Sequence, residues 1–241
     1  MLRSRDRLNT MNSLESIYTS MWERSVAGFA QGIFDLDHLL NDPGDDRRGV
    51  ALLARVSGDA AGRIESFLEE SRLLEPGQYY YTKRDFHITV LSIISCEAGF
   101  ELARIDTGAY IDLVAEEVGK ISSFDIEFEG ITASPSCVLI QGFPVGNHLR
   151  ALRDRLRRVF KGSRLYQTID KRYRISTAHC TALRFCEPLR RPDRLVKFLE
   201  ANRGRSFGRC HIEAVDLVHN DWYARTERIE LLKRYELADQ Q

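Results

Sequence analysis

His87-Ile88-Thr89 and His179-Cys180-Thr181 repeat one tripeptide, His-x-Thr, ninety-two positions apart in a chain of 241 residues. Histidine's reference pKa lies near 6.5, so two of them can divide acid and base work near neutrality. Each tripeptide sits in a strand-like apolar run. Successive side chains of a strand alternate faces, so His87 and Thr89 share one surface, as do His179 and Thr181. Ile88 and Cys180 point to the other side. The pattern singles out two of six histidines: His38, His148, His211 and His219 are followed two positions on by Leu40, Arg150, Glu213 and Asp221.

The elements that must position these groups read twice in similar order. Val50 to Val56 is an apolar strand. Gly58 to Leu74 follows as a helix with Ala61, Ile64, Phe67, Leu68 and Leu74 inward, and Phe86 to Ile94 is the first motif strand. A helix over Thr107 to Gly119 and an alternating strand over Phe124 to Thr132 complete the first round. The second begins with the strand Cys137 to Phe143 and the helix Val145 to Phe160, which buries Leu149, Leu152, Leu156 and Val159. Ile175 to Phe185 holds the second motif, Pro192 starts another helix, and Phe207 to Val218 and Thr226 to Tyr235 are closing strands. Paired halves of this kind predict a pseudo-twofold arrangement with one His-x-Thr strand from each side of a shared groove.

Ahead of this plan, residues 13 to 30 carry Leu14, Ile17, Tyr18, Met21, Trp22 and Phe29 at helical spacing, and Asn41 to Asp46 combines turn formers with charge. The expected division is a helical extension over 1–45 and a body over 46–241, with lobes of about 46–133 and 134–241. Thirty-five Lys and Arg balance thirty-five Asp and Glu, which argues against binding of long DNA or another long polyanion. Five cysteines without a CxxC pair read as free thiols, and no apolar run reaches the roughly 18 residues of a membrane span. A cytoplasmic monomer without membrane attachment is the expectation, with Arg3, Arg5 and Arg7 only a faint hint of a transit peptide.

Phe86-His87-Ile88-Thr89-Val90 and Ala178-His179-Cys180-Thr181-Ala182, with their separation and the order of elements before each, resemble the 2H phosphoesterase superfamily, which includes RNA 2'-5' ligase-like proteins and cyclic phosphodiesterases. The resemblance covers roughly residues 49 to 237. It implies an α+β fold, bilobal and pseudo-twofold, in which two antiparallel-rich sheets form a central groove with helices outside. It also implies metal-independent hydrolysis of a cyclic phosphate or a 2'-5' linked nucleotide or RNA end, with no cofactor. His87 and His179 would be the catalytic pair, which of them is base being open at this point. Thr89 and Thr181 would donate hydroxyl hydrogen bonds to phosphate.

Tyr81, Arg84, Tyr173 and Arg174, in the polar segments before the motifs, are further candidates for holding a nucleotide or short RNA. The basic run Arg150, Arg153, Arg155, Arg157, Arg158, Lys161 and Arg164 reads as a solvated helix face, because Asp154 interrupts it. Cys180 reads as a small buried hydrophobe. Two other functions fit the same residues: a groove that binds nucleotide or RNA without turnover, and a metal site, the latter disfavoured because no HxH or HExxH completes a ligand set.

Overall fold

A computed structural model describes residues 2–29 and 31–239. Among them five α-helices and nine strands alternate along the chain. The helix α1 (Leu2–Phe29) precedes the strand β1 (Arg48–Arg55) and the helix α2 (Gly58–Leu74). The short strand β2 (Tyr79–Tyr80), the first motif strand β3 (His87–Glu97), α3 (Thr107–Val118) and β4 (Phe124–Ser134) follow. The second round runs β5 (Cys137–Pro144), α4 (His148–Gly162), β6 (Cys180–Arg184), α5 (Pro192–Ala201) and β7 (Ser206–Ile212). It closes with β8 (Ala214–Asp221) and β9 (Glu230–Glu236). No helix is long and apolar enough to cross a membrane among the described residues.

The helices form where apolar residues recur every three or four positions. α2 buries Ala60, Ala61, Ile64, Phe67 and Leu68, and α4 buries Leu149, Leu152, Leu156 and Phe160. The Asp106 carboxylate accepts from Ala109 N to start α3, and Pro192 opens α5. Phe67 stacks on Phe198 of α5 and meets Phe207 of β7 edge-on, which fastens α2 and α5 to the sheet. In β1 six consecutive residues are buried, because the strand is covered on both faces.

The architecture is α+β, built on a curled antiparallel sheet in the order β7-β4-β5-β6-β3-β1-β8-β9, with β2 paired to β6. The two expected sheets are halves of one, joined edge to edge. Their seam, β6 against β3, is one register pair, Ile88 opposite Cys180. The repeated order of elements holds, but a division of the sheet at 133/134 does not. β4, the last strand of the first round, pairs with β5 and β7, while β8 and β9 return to β1. The half-sheet β3-β1-β8-β9 therefore takes strands from both ends of the chain and β7-β4-β5-β6 takes its long strands from the middle, a pattern that strand signals alone do not reveal because they carry no pairing information.

Two boundaries differ from the sequence expectation for identifiable reasons. The run Phe207 to Val218 splits at Glu213 into two strands that belong to opposite halves. The second motif strand begins only at Cys180, since residues 173–179 are irregular. α1 packs on the sheet: Thr132 Oγ1 donates to Tyr18 O at 2.8 Å, and Ser25 Oγ donates to Ala133 O at 2.9 Å.

Candidate active site

The seam pair brings the motifs together. With Ile88 opposite Cys180 in an antiparallel ladder, His87 lies across from Thr181 and Thr89 across from His179. The histidines are then diagonal neighbours, whose Cα atoms are about 7–8 Å apart in such ladders. All four side chains are half-buried and line one groove, whereas Ile88 and Cys180 are fully buried behind them. No helical residue lines this groove among the described residues; the helices pack elsewhere on the sheet. Burial pushes the Cys180 thiol up to about 12, in keeping with an inert hydrophobe.

Both histidines are held through Nδ1, by different acceptors. His87 Nδ1 lies 2.6 Å from the Asp85 carbonyl, and His179 Nδ1 lies 2.8 Å from Thr177 Oγ1. A carbonyl only accepts, so the proton of neutral His87 sits on Nδ1 and its Nε2 offers a lone pair. A hydroxyl accepts or donates, so His179 is free to take either tautomer or both protons. Burial lowers His87 to about 4, with the Asp85 carbonyl opposing and Arg55 adding to the shift. Burial also lowers His179 to about 4, followed by the charges of Arg153, His87 and Arg184. Neither imidazole Nε2, nor the hydroxyl of Thr89 or Thr181, has a protein partner among the described residues.

Strict alternation hides one cationic lining residue. Leu139 pairs with Thr181 and Val138 with Leu183, so the register slips past Ala182 and turns Arg184 to the face of His179 and Thr181. The same slip occurs in β3, where Leu53 pairs with Thr89 and Leu52 with Leu91, bringing Ser92 into the groove. Arg184 donates through Nε to the Tyr81 hydroxyl at 2.9 Å and lies 3.5 Å from Asp37. Burial opposes its charge, but Tyr81, Cys137 and Asp37 outweigh that and raise its pKa. Trp222 and Arg172 also line the groove, the guanidinium lying 4.3 Å from the indole centroid. Asp170 and Ala224, the non-glycine residues with positive φ (58° and 52°) among those described, sit on this lining too.

Of the four further candidates, Tyr81 and Tyr173 reach the groove and Arg84 and Arg174 do not. Tyr81 is buried, its hydroxyl donating to Tyr223 O at 3.1 Å. Tyr173 is exposed at the rim. Arg84 stands in the turn before β3 with its side chain in solvent, while its carbonyl accepts from Thr226 and Arg55. Arg174 is drawn to Asp154 at 3.3 Å, over a separate cleft between α1 and α4. Arg153 departs most from the sequence reading: it is buried, and its guanidinium bonds three main-chain carbonyls at the site. No group of three or more His, Cys, Asp or Glu side chains gathers as a metal site among the described residues.

Comparison with solved structures finds this curled antiparallel α+β architecture again, as the LigT-like fold of the 2H phosphoesterases. TT0787 of Thermus thermophilus matches with a TM-score of 0.52 at 13% identity, over 80% of this chain and 100% of that one. A structure described as a phosphoesterase matches with 0.52 at 13%, over 80% and 99%. E. coli LigT complexed with 3'-AMP matches with 0.50 at 12% identity, over 80% and 99%. No protein-family model matches the sequence, and no curated protein matches it. At these identities the likeness establishes the fold.

Proposed function

We propose that the protein is a metal-independent phosphodiesterase of the 2H type, opening a cyclic phosphate or a 2'-5' linkage at a nucleotide or RNA end. The observation that carries this reading is the diagonal pair of imidazoles with free Nε2 atoms, flanked by two free threonine hydroxyls in one groove. LigT, which shares the fold, has been crystallised with 3'-AMP and with phosphate, ligands of the same chemical class.

In hydrolysis of a 2',3'-cyclic phosphate, water attacks phosphorus and the bond from phosphorus to one ribose oxygen breaks. His87, whose neutral form has Nε2 unprotonated, takes the proton from water. His179, whose Thr177 partner accommodates protons on both nitrogens, gives one to the departing ribose oxygen. Thr89, Thr181 and Arg184 hold the non-bridging oxygens as negative charge gathers on them. The free protein keeps both histidines largely neutral at pH 7, and the phosphate anion supplies the opposite charge that restores a proton to His179.

The test is turnover of a panel of 2',3'-cyclic nucleotides, 2'-5' dinucleotides and short RNAs ending in a cyclic phosphate. His87→Ala and His179→Ala are each expected to lower kcat by roughly two to four orders of magnitude with the fold intact by circular dichroism. Full activity in either variant would refute the paired mechanism. Binding without turnover across the panel would instead leave a nucleotide-binding module.

A further inference from the structure

The two motif segments are secured by different means. Before His87 the backbone is held by the ladder: Arg55 pairs with His87, and Val56 N donates to Phe86 O at 3.0 Å. Before His179 there is no strand, and the work falls to side chains from two helices. The carbonyl of the peptide unit joining Thr177 to Ala178 accepts from Arg153 Nη2 at 2.8 Å. Its N–H donates to the Tyr18 hydroxyl at 3.2 Å. That hydroxyl also donates to Gly142 O at 3.1 Å and accepts from Gly142 N at 3.3 Å.

Ile140 opposite Cys180 is the last ladder pair, so Gly142 and Ala178 are the positions where the next bond would fall. The Tyr18 hydroxyl bridges them. Gly142 is needed for the approach, since a Cβ there would collide with the Ala178 carbonyl oxygen. Tyr18 is 1% exposed and its ring meets Phe143 edge-on, so the hydroxyl is delivered from a locked side chain. Arg153, 4% exposed, donates in addition to Val90 O and Thr89 O, both at 2.8 Å. One guanidinium thus ties the peptide before His179 to the strand that carries His87 and Thr89.

We infer that α1 is part of the positioning apparatus of the site, its Tyr18 hydroxyl acting with Arg153 to fix the Thr177–Ala178 peptide and through it the placement of His179. Tyr18 and Arg153 are positioning residues, since neither lines the groove. The inference gives the N-terminal helix, which has no counterpart in the repeated order of elements, a role in the chemistry. It rests on the proposed function for its kinetic consequence, though not for its structural one.

Tyr18→Phe removes the hydroxyl and keeps the ring. Thr132→Val is the control, because Thr132 Oγ1 anchors the same turn of α1 to β4 without touching Ala178. Displacing a reacting group by about 1 Å costs up to a hundredfold, and partial loosening is expected to cost about tenfold. Tyr18→Phe should lower kcat by about tenfold with KM changed less than about threefold. Thr132→Val should lose comparable thermal stability yet keep kcat within about twofold. Arg153→Lys, which retains charge and one donor, should fall between Tyr18→Phe and an Arg153→Met variant.

The readout that needs no turnover is the imidazole NMR titration. In Tyr18→Phe the His179 midpoint should move up from about 4 toward 6.5, while that of His87 stays. Equal kcat losses in Tyr18→Phe and Thr132→Val, or an unmoved His179 titration, would overturn the inference. If no phosphodiester is turned over by the parent protein, the proposed function fails and the titration alone decides this one.

Discussion

The segments that run into β3 and β6 carry the same tripeptide and the same register slip one residue past the threonine, but their neighbours differ in chemistry. Three residues beyond Thr89 stands Ser92, and three beyond Thr181 stands Arg184, and both reach the groove. Two residues before the histidines, the partner of Nδ1 is a main-chain carbonyl in one segment and a threonine hydroxyl in the other. One segment leans on the ladder and the other on Tyr18 and Arg153. The repeated frame makes the site nearly symmetric, and under the proposed mechanism the departures from symmetry are what would separate a base from an acid. A twofold pair of identical histidines would have no reason to divide the proton work in one direction.

The sharpest way to break the comparison is to remove the charge that only one side has. Arg184→Ala should lower kcat/KM by about a hundredfold, the scale for losing one donor to a developing oxyanion, whereas Ser92→Ala should change it less than about threefold. Comparable losses in steady-state kinetics of the two variants would mean that the asymmetry at this position carries no catalytic weight.

The pH dependence tests the titration of the pair. The proposed reaction needs one proton shared between two groups whose burial lowers each pKa to about 4 in the free protein. Above that value the singly protonated pair thins out by about tenfold per pH unit. Accordingly kcat/KM should rise as pH is lowered from 8 to 5, and kcat, measured with the anion bound, should vary less. A pH-independent kcat/KM over this range would show that the free pair does not titrate as described. The same depression destabilises the acid form of the fold. Each folded pKa lies below the 6.5 of the unfolded chain, so this contribution to stability is complete above about 6.5 and drains away as pH falls toward 4.

The smallest effect should come from Thr177→Val, which takes the hydroxyl from His179 Nδ1 and leaves His87 untouched. A loss of about threefold to tenfold in kcat is expected, with the alkaline limb of the kcat profile moving to lower pH as the imidazolium loses its acceptor. An unchanged profile would detach Thr177 from the acid.

Much of this is legible in the residues. The spacing of Ala61, Ile64, Phe67 and Leu68 bounds α2 at Gly58 and Leu74, where the structure has it. The tripeptides locate the groove, because alternation puts residues two apart on one face whatever the sheet does elsewhere. Arg184 escapes the sequence for the converse reason: the slip at Ala182 reverses parity, and nothing local in Thr181-Ala182-Leu183-Arg184 announces it. Arg153 reads as a solvated charge because its partners are main-chain carbonyls, which have no sequence signature. The strand expected over Ile175 to Phe185 is half as long, since its first residues trade ladder bonds for bonds to Tyr18 and Arg153, far away in sequence.

The interlaced strands bear on how the chain is made as well as on how it works. Ala51 of β1 waits for Val218 of β8, and Ile126 of β4 waits for Cys210 of β7. A nascent chain that has emerged only through β4 owns neither half-sheet in full, and contacts of such long span slow the search for the native pairing. Truncation between β6 and β7 would leave unpaired edges on both sides of the seam at once, β4 without β7 and β1 without β8. The half-sheet that carries His87 is complete only once β8 has paired with β1, after both tripeptides have been made.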